Sequence, residues 1–139
     1  APGGKGSNQA FAVAKQGADV VFVGCIGDDE NGKQVKASLD KAGVNTDYLV
    51  IDPETQTGLA LMLLDDRTGR YVSYVAMGGN DRLSPDAVRK AMDENEFDMV
   101  VIPTRRSSDL DSCRLKQFTR PMNWPGKKEY RYFWMQGRR

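Results

Sequence analysis

Val20-Val21-Phe22-Val23 is a short, continuous run of apolar, mostly β-branched residues. A strand with one wet face alternates polar and apolar positions. A strand without that alternation is covered on both faces. Segments of helical period lie on either side of this run. In the first, Ser7 caps a helix to about Gln16, with Ala10, Phe11, Val13 and Ala14 as its apolar stripe and Gly17 as its stop. In the second, after a Gly27-Asp28-Asp29 turn, Asp29 or Asn31 caps a helix to about Ala42, buried through Val35 and Leu39 and stopped by Gly43. Helices on both sides of a doubly covered strand predict an α/β fold with a mainly parallel sheet.

The middle of the chain adds a different unit. Residues 48–51 read as a strand. Residues 57–64 and 71–75 flank the polar turn Asp65-Asp66-Arg67-Thr68-Gly69-Arg70, which predicts a β-hairpin. Ser84 at N-cap and Pro85 at the first helical position open another helix, and 97–102 start another buried strand. A chain of 139 residues, 40% hydrophobic and 28% charged, can bury a core and is not of disordered composition. No apolar run approaches the roughly 20 residues of a membrane span, and no basic stretch followed by an apolar one marks a signal peptide. The absence of histidine removes imidazole catalysis and His-based zinc sites from these residues. Two cysteines make no disulfide framework.

The segment Gly3-Gly4-Lys5-Gly6-Ser7-Asn8-Gln9-Ala10 sits where a loop enters a helix. Small residues let backbone approach a ligand closely, and free amides at the helix start favour oxygen-rich partners. Lys5 adds donors, and Asn8 supplies a donor and an acceptor. The set suits a polyhydroxylated ligand, although a glycine-rich turn that merely starts a helix has the same composition. The spacing matches neither G-x-x-x-x-G-K-[ST] nor a G-x-G-x-x-G after a strand.

Taken with Gly17-Ala18 and Gly24-Cys25-Ile26-Gly27-Asp28-Asp29-Glu30-Asn31-Gly32, this segment resembles the N-terminal signature of the PfkB carbohydrate kinase family, ribokinase and its relatives. Gly43-Val44, Thr57-Gly58, Gly79-Asn80 and Leu83-Ser84-Pro85 agree in order, so the resemblance covers residues 1 to about 102. The Gly-Gly-Lys-Gly-Ser-Asn form is more similar to ribokinases than to fructokinases or adenosine kinases.

The resemblance implies an α/β/α sandwich with a small β-sheet lid (about 57–80) that closes over the sugar and joins two copies. It implies that Gly4, Lys5, Gly6, Ser7 and Asn8 hold the sugar, ribose first among candidates, with Ala60, Leu61 or Met62 as apolar lid contacts. Gly58 and Gly79 flank the lid as hinges do, although hinges need not be small. It also implies phosphoryl transfer from ATP, with Mg²⁺, to a sugar hydroxymethyl group in the cytoplasm, with no nucleic-acid or membrane partner. The family's Gly-Ala-Gly-Asp motif, which carries the base and the anion hole, has no counterpart here, since no Gly-x-Gly-Asp occurs. The family's first strand, which brings an Asp to the sugar, should precede Ala1. The expectation is therefore a domain truncated at both ends and inactive alone, without catalytic, nucleotide-binding or metal-binding residues of its own. Other PfkB kinases (acting on fructose, nucleosides or phosphosugars) and a non-catalytic sugar-binding or dimerisation module are the alternatives.

Several residues have blander readings. Cys25 reads as a small buried hydrophobe. Asp28 and Asp29 read as turn and cap rather than metal ligands. Asp65-Asp66 reads as a solvated hairpin tip, and any single one of residues 59–64 as core packing.

The net charge of +1 hides two unlike pieces: residues 1–102 carry 10 Lys or Arg against 16 Asp or Glu, and residues 103–139 carry 10 against 3. Pro103-Thr104-Arg105-Arg106-Ser107-Ser108-Asp109-Leu110 is the translation of CCT ACA CGA CGC TCT TCC GAT CT, the end of a common short-read sequencing adapter. Residues 103–139 are therefore expected to be adapter read-through followed by unrelated, disordered sequence. The rival reading is a basic aromatic tail, with Arg131, Tyr132 and Trp134, that binds nucleic acid or anionic lipid. A sheet ending near Ile102 would also leave 100–102 as an aggregation-prone edge.

Overall fold

The computed structural model describes residues 2–101 and 131–135. Helix α1 (Lys5–Lys15) leads into strand β1 (Asp19–Gly27), helix α2 (Glu30–Lys41) and strand β2 (Leu49–Asp52). Strands β3 (Leu59–Leu64) and β4 (Tyr71–Ala76) follow, then a short 3-10 helix (Gly78–Arg82), helix α3 (Pro85–Glu94) and strand β5 (Met99–Val101). Strand β6 (Arg131–Met135) completes the described elements. The main sheet has the order β2-β1-β6-β5 with every pair parallel, and β3-β4 form a separate antiparallel sheet.

Strand β1 organises the molecule. Its eight residues from Val20 to Gly27 are all buried, because successive side chains point to opposite faces and both faces are covered. Val20, Phe22 and Ile26 pack with Ala10 of α1, Leu39 of α2 and Val44. Val21 and Val23 pack on the other side with Ala91 of α3. The layers are thus α1 and α2, the sheet, then α3, the α/β/α arrangement expected. Phe22, Leu39 and Val23 are the largest fully buried side chains. A side chain of that size removed from water contributes about 1.5–3 kcal/mol. Two of the three predicted caps are present: Asp29, rather than Asn31, accepts from the amide of Gly32, and Ser84 from that of Ala87. Gly17 and Gly43, past α1 and α2, adopt positive φ.

Three expectations need correction. Ser7 does not cap α1. Gly4, at φ 103°, stands at the N-cap and the helix begins at Lys5. That backbone conformation favours glycine, so the glycine starts the helix and Ser7 falls inside the first turn. The stretch 59–64 is not core. Every residue of β3 and β4 is exposed, with Leu64 at 70% and Tyr71 at 64%, because no other described element packs on the hairpin. Disorder throughout 103–139 does not hold at Arg131–Met135, which pair with β1 on one side and β5 on the other. That five-residue run is rich in strand-forming aromatic residues and satisfies two strand edges at once. The rest of that segment, the adapter-like 103–110 included, lies outside the described residues.

Candidate functional site

The C-terminal end of β1 meets three loops. Gly3, from the loop before α1, lines a shallow hollow together with Gly24 and Cys25 of β1, Thr57 and Gly58 before β3, and Asn80 after β4. A neighbouring hollow is lined by Pro2, Gly3, Ser7, Asn8 and Phe11 among others. Ligands of open α/β sheets bind at the carboxyl ends of the strands, and this is that end.

The five residues expected to hold a sugar sort by geometry. Gly6 and Ser7 are buried. The Ser7 hydroxyl lies 2.5 Å from the Gly3 carbonyl oxygen and 3.2 Å from that of Gly4, so it donates into the loop and fixes its shape. Gly4 supplies the turn. Lys5 and Asn8 are exposed, and among the described residues neither side chain has a hydrogen-bonding partner. The loop therefore presents an ammonium and a carboxamide at a helix N-terminus, a set able to bind hydroxyl oxygens.

The lid candidates do not share a face. Cross-strand pairs place Leu61 opposite Tyr74 and Met62 opposite Ser73. Side chains alternate along a strand, so Ala60 and Met62 lie on one side with Ser73 and Val75. Leu61 lies on the other with Leu59, Leu63, Val72 and Tyr74. At most two of the three can face one ligand.

The hairpin's stem carries a network the sequence did not reveal. Asp29 Oδ1 accepts from the Gly32 amide at 2.7 Å and from the Thr57 hydroxyl at 2.6 Å, while its Oδ2 accepts from the Thr57 amide at 2.8 Å. The Thr57 oxygen in turn accepts from the Gly27 amide at 3.0 Å. The hydroxyl and amide of Thr57, then the amide of Gly32, hold the Asp29 carboxyl below the usual carboxylate range. Thr57-Gly58 showed in the sequence only as a boundary of the hairpin. A hydroxyl two residues before a strand was the one local hint that it anchors anything.

Asp28 pairs with Lys33 at 3.7 Å on the surface, and Asp29 spends both oxygens on protein donors. Beyond the stem, Arg82 bridges Asp52 at 3.0 Å and Glu54 at 3.1 Å. Among the described residues no group of three or more acidic or cysteine side chains is placed to hold a metal ion. Cys25 is buried beside the hollow, and burial pushes its thiol pKa up, which makes it a poor nucleophile. Asp65 accepts from the Thr68 hydroxyl at 2.7 Å and the Arg67 amide at 3.0 Å, closing the exposed hairpin tip.

Comparison with known proteins gives the arrangement its relatives. The profile described as pfkB family carbohydrate kinase matches residues 1–115, running past the sequence-derived boundary at 102. Ribokinase of Bacillus subtilis (strain 168) is 40% identical over 102 residues, covering 73% of this chain and 34% of that enzyme. Fructokinase of Vibrio alginolyticus is 35% identical over 81 residues, covering 58% and 26%. The crystal structure of ribokinase from Cryptococcus neoformans var. grubii serotype A in complex with ADP superposes with a TM-score of 0.59 at 37% identity, covering 72% of this chain and 30% of that one. The chain thus spans about a third of the length of the curated relatives it matches. Among the described residues no helix is long and apolar enough to cross a membrane.

Proposed function

The chain belongs to the pfkB family of carbohydrate kinases, and from that premise we propose that it is the sugar-recognition part of an ATP-dependent kinase that phosphorylates the hydroxymethyl group of ribose. The observation that carries this reading is the Gly4–Asn8 loop. Its backbone is held by Ser7, its Lys5 and Asn8 groups are without partners among the described residues, and it opens beside the stem of a small sheet.

In this reading Lys5 and Asn8 bind sugar hydroxyls, and Ala60 and Met62 are the pair of lid residues that share a face for apolar contact. ATP and Mg²⁺ are held by residues other than those described, so what this chain contributes is binding, orientation and exclusion of water. The opposite lid face, with Leu59, Leu61, Leu63, Val72 and Tyr74, joins a second copy. Its support is exposure: a two-stranded sheet apolar on both faces is marginal in water until both are covered. The compartment is the cytoplasm, where ATP is available. Residues 103–110 are taken as translated adapter sequence. The encoding DNA tests that directly, and a different codon run there removes it.

Calorimetric titration with ribose and with fructose tests the substrate. Ribose binds the 139-residue chain more tightly than fructose, and Asn8→Ala lowers ribose affinity about tenfold, the scale of one lost hydrogen bond to a desolvated group. With ATP and Mg²⁺ the chain alone produces no ribose 5-phosphate. Tighter binding of fructose reassigns the acceptor, and turnover by the isolated chain refutes the division of labour.

A further inference from the structure

Three separate pieces of backbone converge on one carboxylate. Gly27 ends β1, Gly32 lies in the first turn of α2, and Thr57 precedes β3. Asp29 and the Thr57 hydroxyl tie all three together through four hydrogen bonds of 2.6–3.0 Å. Thr57 is 8% exposed, whereas every residue of the strand it introduces is exposed. The approach is tight as well. A Cβ on Gly32 would stand 2.7 Å from the Thr57 hydroxyl oxygen, and one on Gly27 2.7 Å from the Thr57 nitrogen. The returning chain is seated on the same strand end. The Gly79 amide donates to the Gln56 carbonyl at 2.8 Å, and a Cβ on Gly79 would meet the Cys25 carbonyl oxygen at 2.7 Å.

We infer that Asp29 is a positioning residue for the lid. Through Thr57 it locks the outgoing strand to β1 and α2, so that the hairpin moves as a unit beyond Gly58 while its base stays fixed over the sugar loop. This rests on reading the β3–β4 hairpin as a lid. The Asp29–Gly32 bond would serve α2 alone. The two bonds to Thr57 do nothing for that helix, and they are what identify a second role. A fixed base matters because a bound ligand is contacted from both the loop and the lid, and small misplacements at a pivot are amplified at the tip.

Amide hydrogen exchange on the full chain, with and without saturating ribose, tests the inference. In the parental chain the Thr57 amide exchanges with those of Gly27 and Gly32, and more slowly than those of residues 58–64. Thr57→Val raises exchange across residues 57–79 about tenfold and leaves α2 unchanged, since its cap is untouched, while Thr57→Ser behaves as the parent. A Thr57 amide that exchanges with the hairpin rather than with Gly27 overturns the anchor, and this arm needs no variant to fold. An unchanged hairpin in Thr57→Val also overturns it. Ribose slows exchange in the hairpin of the parent. If it does not, while Thr57→Val still loosens the stem, the sugar reading fails and the anchor stands.

Discussion

Asp29 shows how much one side chain can do when its geometry is complete. A carboxylate accepts at two oxygens, and here both are met by donors from the Thr57 segment and α2. Its pKa is held low chiefly by the Thr57 hydroxyl and amide, so its ionised form stabilises the folded state above the unfolded value near 3.9. That contribution is lost as pH falls through the lower folded value. Asp40, held low by the Lys36 ammonium and the Thr46 hydroxyl, acts in the same direction. Urea midpoints measured between pH 6 and pH 3 should therefore fall on acidification in the parent. In Asp29→Asn they should start lower and fall less steeply. A variant with the same acid slope as the parent would remove Asp29 from this account. Ser7 teaches the complementary lesson. Its identity suggested a cap, but a glycine at φ 103° three residues earlier had already started the helix, and a backbone preference of that kind outranks a side-chain one.

At the scale of elements, what was legible followed period and punctuation. The unbroken run at 20–23 announced a strand covered twice, and β1 is buried on both faces. Gly17 and Gly43 marked where α1 and α2 stop, and both have positive φ. Ser84-Pro85 marked where α3 begins. The hairpin was legible as a hairpin, but its surroundings were not. Leu59, Leu61 and Leu63 carry the composition of a core, and only tertiary structure reveals that no described element covers them. The opposite problem hid Thr57, whose partner lies 28 residues away, a separation no local pattern encodes. The exposed face supports a direct prediction. Leu61→Lys, which places a charge at the centre of the proposed contact, should shift the chain from dimer toward monomer in sedimentation velocity without changing the Thr57 exchange rate. An unchanged sedimentation coefficient for a dimeric parent would move the interface elsewhere.

For the whole molecule, the sheet order β2-β1-β6-β5 brings together strands more than a hundred residues apart in sequence. Periodicity assigns strands to faces but not to neighbours, so the place of β6 between β1 and β5 was out of its reach. The charge contrast between 1–102 and 103–139 was visible at once, yet a segment expected to stand outside the fold supplies a strand to its main sheet at 131–135. The candidate site sits at one end of that sheet. It is assembled from the loop before α1, the carboxyl end of β1 and the stem of the hairpin, all within the stretch that matches the carbohydrate kinase family. The most direct test is a ribose titration followed amide by amide in the nitrogen–proton spectrum of the chain. The account predicts saturable shifts at Gly4, Lys5 and Asn8, and in the Ala60–Met62 strand, with α3 unmoved. Shifts absent from the 4–8 loop at saturating ribose, or spread evenly over the chain, would contradict it.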